Sequence, residues 1–215
     1  TGTDMLTTGN GSNVILGDSG SISYRAAGII DTVASTDLGI GGTDLITAGD
    51  GSNVIVGGAG TDTIDAGAGL MSPTSSNNIV VGDSGTITYD ALGNVVTVTT
   101  TDTLATTGGD DSITLGDGSN IVLGGMGSDT ITTGNVGTDS SNTILGDNGV
   151  ITFNTTGAPR TLTSSVAGLG GNDAILVGDG TNVIIAGTND AGGTDTVTSG
   201  DGTNVILGDN GSIIY

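Results

Sequence analysis

Residues 57–65 read Gly-Gly-Ala-Gly-Thr-Asp-Thr-Ile-Asp, and residues 124–132 read Gly-Gly-Met-Gly-Ser-Asp-Thr-Ile-Thr. Each packs a glycine turn, one aspartate and one isoleucine into nine residues. Degenerate copies surround them, among them Ala-Gly-Asp-Gly-Ser-Asn-Val-Ile-Val from Ala48, Leu-Gly-Asp-Gly-Ser-Asn-Ile-Val-Leu from Leu115 and Val-Gly-Asp-Gly-Thr-Asn-Val-Ile-Ile from Val177. Marking the Asp or Asn two positions before an aliphatic residue gives one series: Asp4, Asn13, Asp44, Asn53, Asp62, Asn78, Asp111, Asn120, Asp129, Asn142, Asp173, Asn182, Asp195 and Asn204. Aspartate and asparagine alternate without a break. Most steps are nine residues, and two nines make a coil of eighteen. Alternate nonapeptides therefore fall on opposite edges of a solenoid, one marked by Asp and the other by Asn.

A longer period encloses the short one. The phrase Gly-Asp-x-Gly-x-Ile-x-Tyr/Phe recurs at 17–24, 82–89, 146–153 and 208–215, with starts 65, 64 and 62 residues apart. Repetition at this scale indicates an array whose units bury their apolar faces only against their neighbours. The chain divides into a partial repeat at 1–24 and repeats at 25–89, 90–153 and 154–215, forming one continuous solenoid. Its start at Thr1 is read as that of an excerpt or a processed form.

The two full matches and the partial copies resemble the repeats-in-toxin (RTX) calcium-binding family, over about two thirds of the chain. The resemblance implies an all-β fold, a right-handed parallel β-roll or β-solenoid with calcium held in glycine-rich turns. It also implies bacterial origin, export in an unfolded state and a secreted, extracellular or cell-surface location.

Composition supports a cation partner independently. The 215 residues hold 23 acidic groups, all Asp, against two basic ones, Arg25 and Arg160, for a net charge of -21. Such self-repulsion opposes a compact state unless counter-ions bind. Calcium takes roughly six to eight oxygen ligands, mixing carboxylates with backbone carbonyls. Glycine turns offer the carbonyls, and Asp offers charge on a short side chain. Calcium is accordingly expected at Asp4, Asp44, Asp62, Asp111, Asp129, Asp173 and Asp195, together with the turn residues Gly57, Gly60, Gly124 and Gly127. Asp18, Asp83, Asp147 and Asp209, from the Gly-Asp-x-Gly phrase, are expected to line up beneath Asp62, Asp129 and Asp195, with one ion between Asp44 and Asp62 and the next between Asp62 and Asp83. On the other edge Asp50, Asp117, Asp179 and Asp201 either supply charge to further calcium sites or cap turns beside a plain amide ladder.

The aliphatic position of each nonapeptide should point inward, as Ile46, Ile55, Ile64, Ile113, Val122, Ile131, Ile175 and Ile184. Segments at 25–41, 90–107 and 154–169 depart from the nonapeptide. Gly93-Asn94 suggests a β-hairpin there, which could pair outside the roll, extend its coil, form a contact surface or act as a spacer.

Several functions are excluded or disfavoured. Two arginines and no lysine cannot neutralise a run of phosphates, no apolar run is long enough for a membrane helix, and without His or Cys there is no Ser-His-Asp or thiol chemistry. An EF-hand is excluded because its loop closes on Glu. No catalytic constellation is visible, so no enzyme is expected. The expected role is structural: a calcium-stabilised repeat region of a large secreted or surface protein, such as an adhesin stalk, a surface-layer protein or a fibre subunit. Its partners are calcium ions and further repeats, through end-to-end self-association or within a longer array. Two alternatives are an ice-binding module, on the hydroxyl residues at 43, 61, 194, 52, 119, 181 and 203, and a folding or secretion module of an exoenzyme or toxin. Without a cation the composition fits a disordered chain.

Overall fold

The computed structural model of the protein describes residues 2–67, 77–104, 106–134, 141–165, 170–189 and 192–215. The insertion before Asn78 and residues 166–169 of the third non-nonapeptide segment lie outside the described residues.

The described residues form three seven-stranded sheets. The Asp-marked strands make one of them, in the order Met5–Thr8, Leu45–Ala48, Thr63–Ala66, Ser112–Leu115, Thr130–Thr132, Ala174–Val177 and Thr196–Ser199. The Asn-marked strands make the second: Val14–Leu16, Val54–Val56, Ile79–Val81, Ile121–Gly125, Ser141–Asp147, Gly180–Ile185 and Gly202–Leu207. All pairs within both sheets are parallel and in register, so Ile46 lies between Leu6 and Ile64, and Ile144 between Val122 and Ile184. Among the described residues no helix is long and apolar enough to cross a membrane.

The third sheet is antiparallel and consists of hairpins. Gly20–Tyr24 pairs with Ile30–Ser35, Gly85–Tyr89 with Val95–Thr100, and Gly149–Phe153 with Pro159–Ser164. Neighbouring hairpins also pair with each other, and Ser212–Ile214 closes the row. The hairpins depart from the sequence reading in one respect. Their first strand is the Gly-x-Ile-x-Tyr/Phe half of the long-period phrase, so the non-nonapeptide segments contribute only the turn and the second strand. Asp90 caps one turn by accepting the N–H groups of Leu92 and Asn94 at 2.8 and 2.9 Å, and Asn154 does the same for Thr156 and Ala158. Such Asx turns need a short acceptor side chain at their first position.

Sequence texture follows the layering. The outer Asp-marked sheet alternates, as in Leu-Ile-Thr-Ala with burial only at Ile46 and Ala48. The Asn-marked sheet lies between the other two, and its strands carry uninterrupted apolar runs, as in Val-Ile-Val at 54–56 and Ile-Val-Leu at 121–123. A sheet covered on both faces has no reason to alternate. Its Ile55, Val80, Val122, Ile144 and Ile184 join Ile46, Ile64, Ile113, Ile131 and Ile175 in one core. Its Val56, Val81, Leu123, Leu145 and Ile185 join Val33, Ile87, Val98, Ile151 and Leu162 of the hairpin sheet in a second. Every aliphatic residue expected to point inward is at most 2% exposed. The outer face of the hairpin sheet is rich in threonine, and hydroxyl pairs such as Thr88 with Thr97 join its strands at 2.7 Å.

Because the second core is continuous, the hairpin sheet is an integral layer. Truncating a buried isoleucine to alanine costs about 2–5 kcal/mol. Ile87→Ala should therefore destabilise the calcium-loaded protein about as much as Ile55→Ala in urea unfolding. A transition unchanged by Ile87→Ala would mean that the hairpins are appended to a self-sufficient roll.

Candidate metal edge

Both edges of the roll carry a side-chain ladder, and the ladders are nearly isosteric. On one edge Asn13 Nδ2 donates to Asn53 Oδ1 at 2.8 Å, Asn53 to Asn78 at 3.0 Å, Asn78 to Asn120 at 3.1 Å, Asn120 to Asn142 at 3.1 Å, Asn142 to Asn182 at 2.9 Å and Asn182 to Asn204 at 2.8 Å. The second amide hydrogen is used as well. Asn53 Nδ2 also reaches the carbonyls of Gly49 and Gly51, and Asn120 Nδ2 those of Gly116 and Gly118. This edge closes its own hydrogen bonds.

On the opposite edge the backbone N–H of Asp4 donates to Asp44 Oδ1 at 2.8 Å, that of Asp44 to Asp62 at 2.8 Å, Asp62 to Asp111 at 2.7 Å, Asp111 to Asp129 at 2.8 Å, Asp129 to Asp173 at 2.9 Å and Asp173 to Asp195 at 2.9 Å. Here the atom that corresponds to the amide nitrogen is an oxygen with nothing to donate. The Oδ2 atoms of Asp44, Asp62, Asp111, Asp129 and Asp173 are all buried and without a hydrogen-bond partner. An unmet buried acceptor costs about 1–3 kcal/mol, and more when charged.

Each orphan oxygen faces a cradle built from glycine. A Cβ placed on Gly17 would meet Asp44 Oδ2 at 2.6 Å together with the carbonyl oxygen of Gly57. One placed on Gly57 would meet Asp62 Oδ2 at 2.5 Å and the carbonyl of Gly82. The same arrangement recurs as Gly82 with Asp111 and Gly124, Gly124 with Asp129 and Gly146, and Gly146 with Asp173 and Ala186. A carboxylate oxygen and a carbonyl oxygen thus share a space kept clear of side chain. Two acceptors brought together this way repel each other unless a proton or a cation lies between them. Gly60 and Gly127 hold φ of 114° and 107° at the turn, which an L side chain would strain.

The phrase aspartates form a second column. Asp18 Oδ2 accepts the N–H of Ala59 at 2.8 Å, Asp83 Oδ2 that of Met126 at 2.5 Å, and Asp147 Oδ2 that of Thr188. The expected placement of Asp83 directly beneath Asp62 is not the one formed. Asp83 accepts the N–H groups of Gly109 and Met126, in the turns that lead to Asp111 and Asp129, whereas Asp18 is held by the turn that leads to Asp62 and Asp147 by the one that leads to Asp195. The reason is chain path. After the Asn strand, the Gly-Asp-x-Gly corner leads into the hairpin sheet, so its aspartate serves the turn about 41–43 residues further on. Asp4 and Asp209 lie in the exposed terminal coils. On the Asn edge the N–H of Asp50 donates to Asn10 Oδ1 at 3.0 Å and that of Asp201 to Asp179 Oδ1 at 2.6 Å, while Asp117 lies beside Gly134.

Electrostatics set the edges further apart. Burial, followed by the neighbouring Asp44 and Asp18, pushes Asp62 up to about 7. Burial raises Asp173 to about 8 and Asp147 to about 6. Asp83, Asp111 and Asp129 are driven well above the ordinary carboxylate range, first by burial and then by acidic neighbours: Asp111 beside Asp83 and Asp129, and Asp62, Asp110 and Asp102 beside Asp111. Among the described residues no three acidic groups converge closely enough to hold an ion unaided. An ion on this edge must combine one or two carboxylates with backbone carbonyls, a mixture that suits a hard divalent cation of flexible coordination.

A parallel roll with a glycine-cradled carboxylate edge defines the class: a cation-binding β-roll. The RTX calcium-binding nonapeptide repeat, as a family model of four copies, matches residues 1–21, 38–69 and 97–131. The chain carries RTX repeats, and its cation is calcium. No curated protein and no solved structure matches the chain significantly. The residues present fit the ion, since the orphan oxygens and cleared cradles fall at the aspartates of the repeat. Asp44, Asp62, Asp111, Asp129 and Asp173 would hold calcium with the Gly57, Gly82, Gly124, Gly146 and Ala186 carbonyls, and calcium there would supply the positive charge that this edge lacks.

Proton and calcium compete for the same oxygens. Folded-state values above the unfolded 3.8 mean that the metal-free fold holds more protons than the unfolded chain, so its stability falls as pH rises from about 4 to about 8. In a chelator the fold should therefore resist urea better at pH 5 than at pH 8. With calcium, which needs the deprotonated carboxylates, the loss towards pH 8 should be offset. A chelated protein that is more stable at pH 8 than at pH 5 would contradict the buried carboxylate edge.

The two ladders should also respond differently to truncation. Calorimetric titration of Asp129→Ala should show calcium affinity weakened or a site lost. Asn120→Ala should lower stability by about 1–3 kcal/mol through unmet buried groups and leave the calcium stoichiometry unchanged. Equal calcium losses in both variants would place metal on both edges.

Proposed function

We propose that the chain is a structural spacer: a calcium-stiffened repeat segment of a large secreted or cell-surface bacterial protein, such as an adhesin stalk, a surface-layer protein or a fibre subunit. The observation that carries this reading is that all three sheets gain strands in every repeat, the two parallel ones with unbroken register. A stack that repeats the same rungs along one axis is suited to extension.

Ice binding has less support. Along the Asp edge the column of Thr43 and Thr61 continues through Asp110, Ser128 and Asn172 to Thr194, and its later members bond one another as turn residues. A charged, mixed column is not a uniform hydroxyl surface.

Each repeat adds two rungs of roughly 4.8 Å, so an array should grow by about 10 Å per repeat. Small-angle X-ray scattering on arrays of increasing repeat number should give this constant increment in millimolar calcium and lose it on chelation. An increment that fails to stay constant would refute the spacer reading. Thermal hysteresis of freezing by the calcium-loaded protein would favour the ice-binding alternative.

A further inference from the structure

The middle repeat contains a buried carboxylate that the nonapeptide pattern does not account for. Asp102 lies on the return loop after the hairpin strand Val95–Thr100 and is 4% exposed. Its Oδ2 accepts the N–H of Ser84 at 2.9 Å and its Oδ1 the hydroxyl of Thr107 at 3.3 Å. Its backbone carbonyl accepts Nδ2 of Asn148 at 3.3 Å. Ser84 and Asn148 each follow the phrase aspartate of successive repeats, so this one residue ties two Gly-Asp-x-Gly corners to the hairpin sheet.

Asp102 also lies close enough to Asp83 and Asp111 to act on both electrostatically. Asp83, Asp111 and Asp129 are 0%, 2% and 1% exposed. The protein offers this group no cation of its own. Arg25 pairs with Asp31 and donates to the carbonyl of Tyr89, and Arg160 is exposed on the hairpin strand Pro159–Ser164. One further observation points to a bound ion. Asp111 Oδ2 is without a partner and faces the cradle of Gly82 and the Gly124 carbonyl. Asn148, 4% exposed, holds Asp102 through its amide nitrogen and leaves its own Oδ1 without a partner. The preceding repeat lacks the device, because Asp37 follows the equivalent bond from Thr36 to Ser19 yet is exposed. The following repeat has Val166 at that place in the sequence.

We propose that Asp102 supplies charge to the calcium site of Asp83 and Asp111, making it the tightest site of the segment, and that calcium there fastens the hairpin sheet to the metal edge. The proposal rests on the calcium-binding reading of the roll and adds a residue outside the repeat motif. Its chemistry is that of a positioning residue: it raises the negative charge around the ion while its hydrogen bonds hold the corner that presents Asp83. Calcium sites tune their affinity through the charge of their ligands, so removing one charge without changing shape should be read directly in binding.

The test is Asp102→Asn, with Asp37→Asn as the exposed control, in calorimetric titration with calcium chloride and in urea unfolding with a chelator. Asp102→Asn should weaken the tightest calcium step by about tenfold while the metal-free protein becomes more resistant to urea, because repulsion within the cluster is relieved. Asp37→Asn should change neither. A merely structural Asp102 would lose stability in both states with affinity intact, and that result overturns the proposal, as would equal weakening in the control. Should Asp102→Asn fail to fold in calcium, hydrogen exchange on the unaltered protein decides. Amides of 85–89 and 95–100 must gain protection over the same calcium range as those of 112–115, and protection independent of calcium overturns the coupling. Failure of the unaltered protein to take up calcium at all would sink the calcium reading of the whole roll. Normal uptake with an unaffected Asp102→Asn removes the role of Asp102 alone.

Discussion

The structure depends on the exchange of one atom. Asn and Asp have almost the same shape, and both edges of the roll place them in register at every rung. Where the terminal atom is nitrogen, it donates to the next rung and to its own turn, and the edge is complete. Where it is oxygen, the same position holds an unmet buried acceptor beside another acceptor. The Asn edge therefore closes its own hydrogen bonds, and the Asp edge is left needing something positive between its oxygens. The strict alternation of Asp and Asn assigns these two properties to opposite sides of every coil.

This division bears on how the chain orders. Parallel coils pay their loop-closure entropy before their contacts form, and the conditional edge adds self-repulsion. The middle sheet and the amide ladder together form the part of the molecule whose ladder leaves no side-chain acceptor unmet, and Ile55, Val80 and Val122 are buried two residues on from Asn53, Asn78 and Asn120. Calcium then acts on an edge whose opposite side already fixes the spacing of the rungs. Order on one side presents the carboxylates of the other at the separation the ion requires, which is preorganisation of a metal site by hydrogen bonds and burial.

Much of the design was legible in the sequence because both periods are written in residue types with few substitutes. Glycine marks the turns, the Asp/Asn alternation marks the edges, and the aliphatic position marks the core. Less legible was whatever depends on where the chain goes between coils. The phrase Gly-Asp-x-Gly-x-Ile-x-Tyr reads as a loop followed by an insert, yet Gly85–Tyr89 is a hairpin strand, because its aliphatic residue is buried against the middle sheet. The uninterrupted Val-Ile-Val run of that middle sheet was the available signal, since an outer sheet would have alternated as Leu45–Ala48 does. The partner of Asp83 was likewise hidden, because the hairpin lies between the corner and the turn it serves. Asp102 carried no sequence signal at all, as nothing distinguishes it from the exposed Asp37 except the burial of its loop.

The absence of glutamate and lysine from so charged a chain has the same origin. A ladder rung is one strand spacing high, and the side chain that bridges it must reach the neighbouring backbone N–H at 2.7–2.9 Å while its second oxygen stays within its own turn. Aspartate meets both limits. One more methylene would carry the carboxylate past the N–H of the next rung and out of the glycine cradle, where its charge would be solvated and would no longer create a site. Lysine on this edge would neutralise the carboxylates permanently and make the fold independent of its surroundings. With only two arginines, one of them held by Asp31, the compensating charge has to come from solution. Order of the Asp edge is thereby tied to the free concentration of calcium around the molecule.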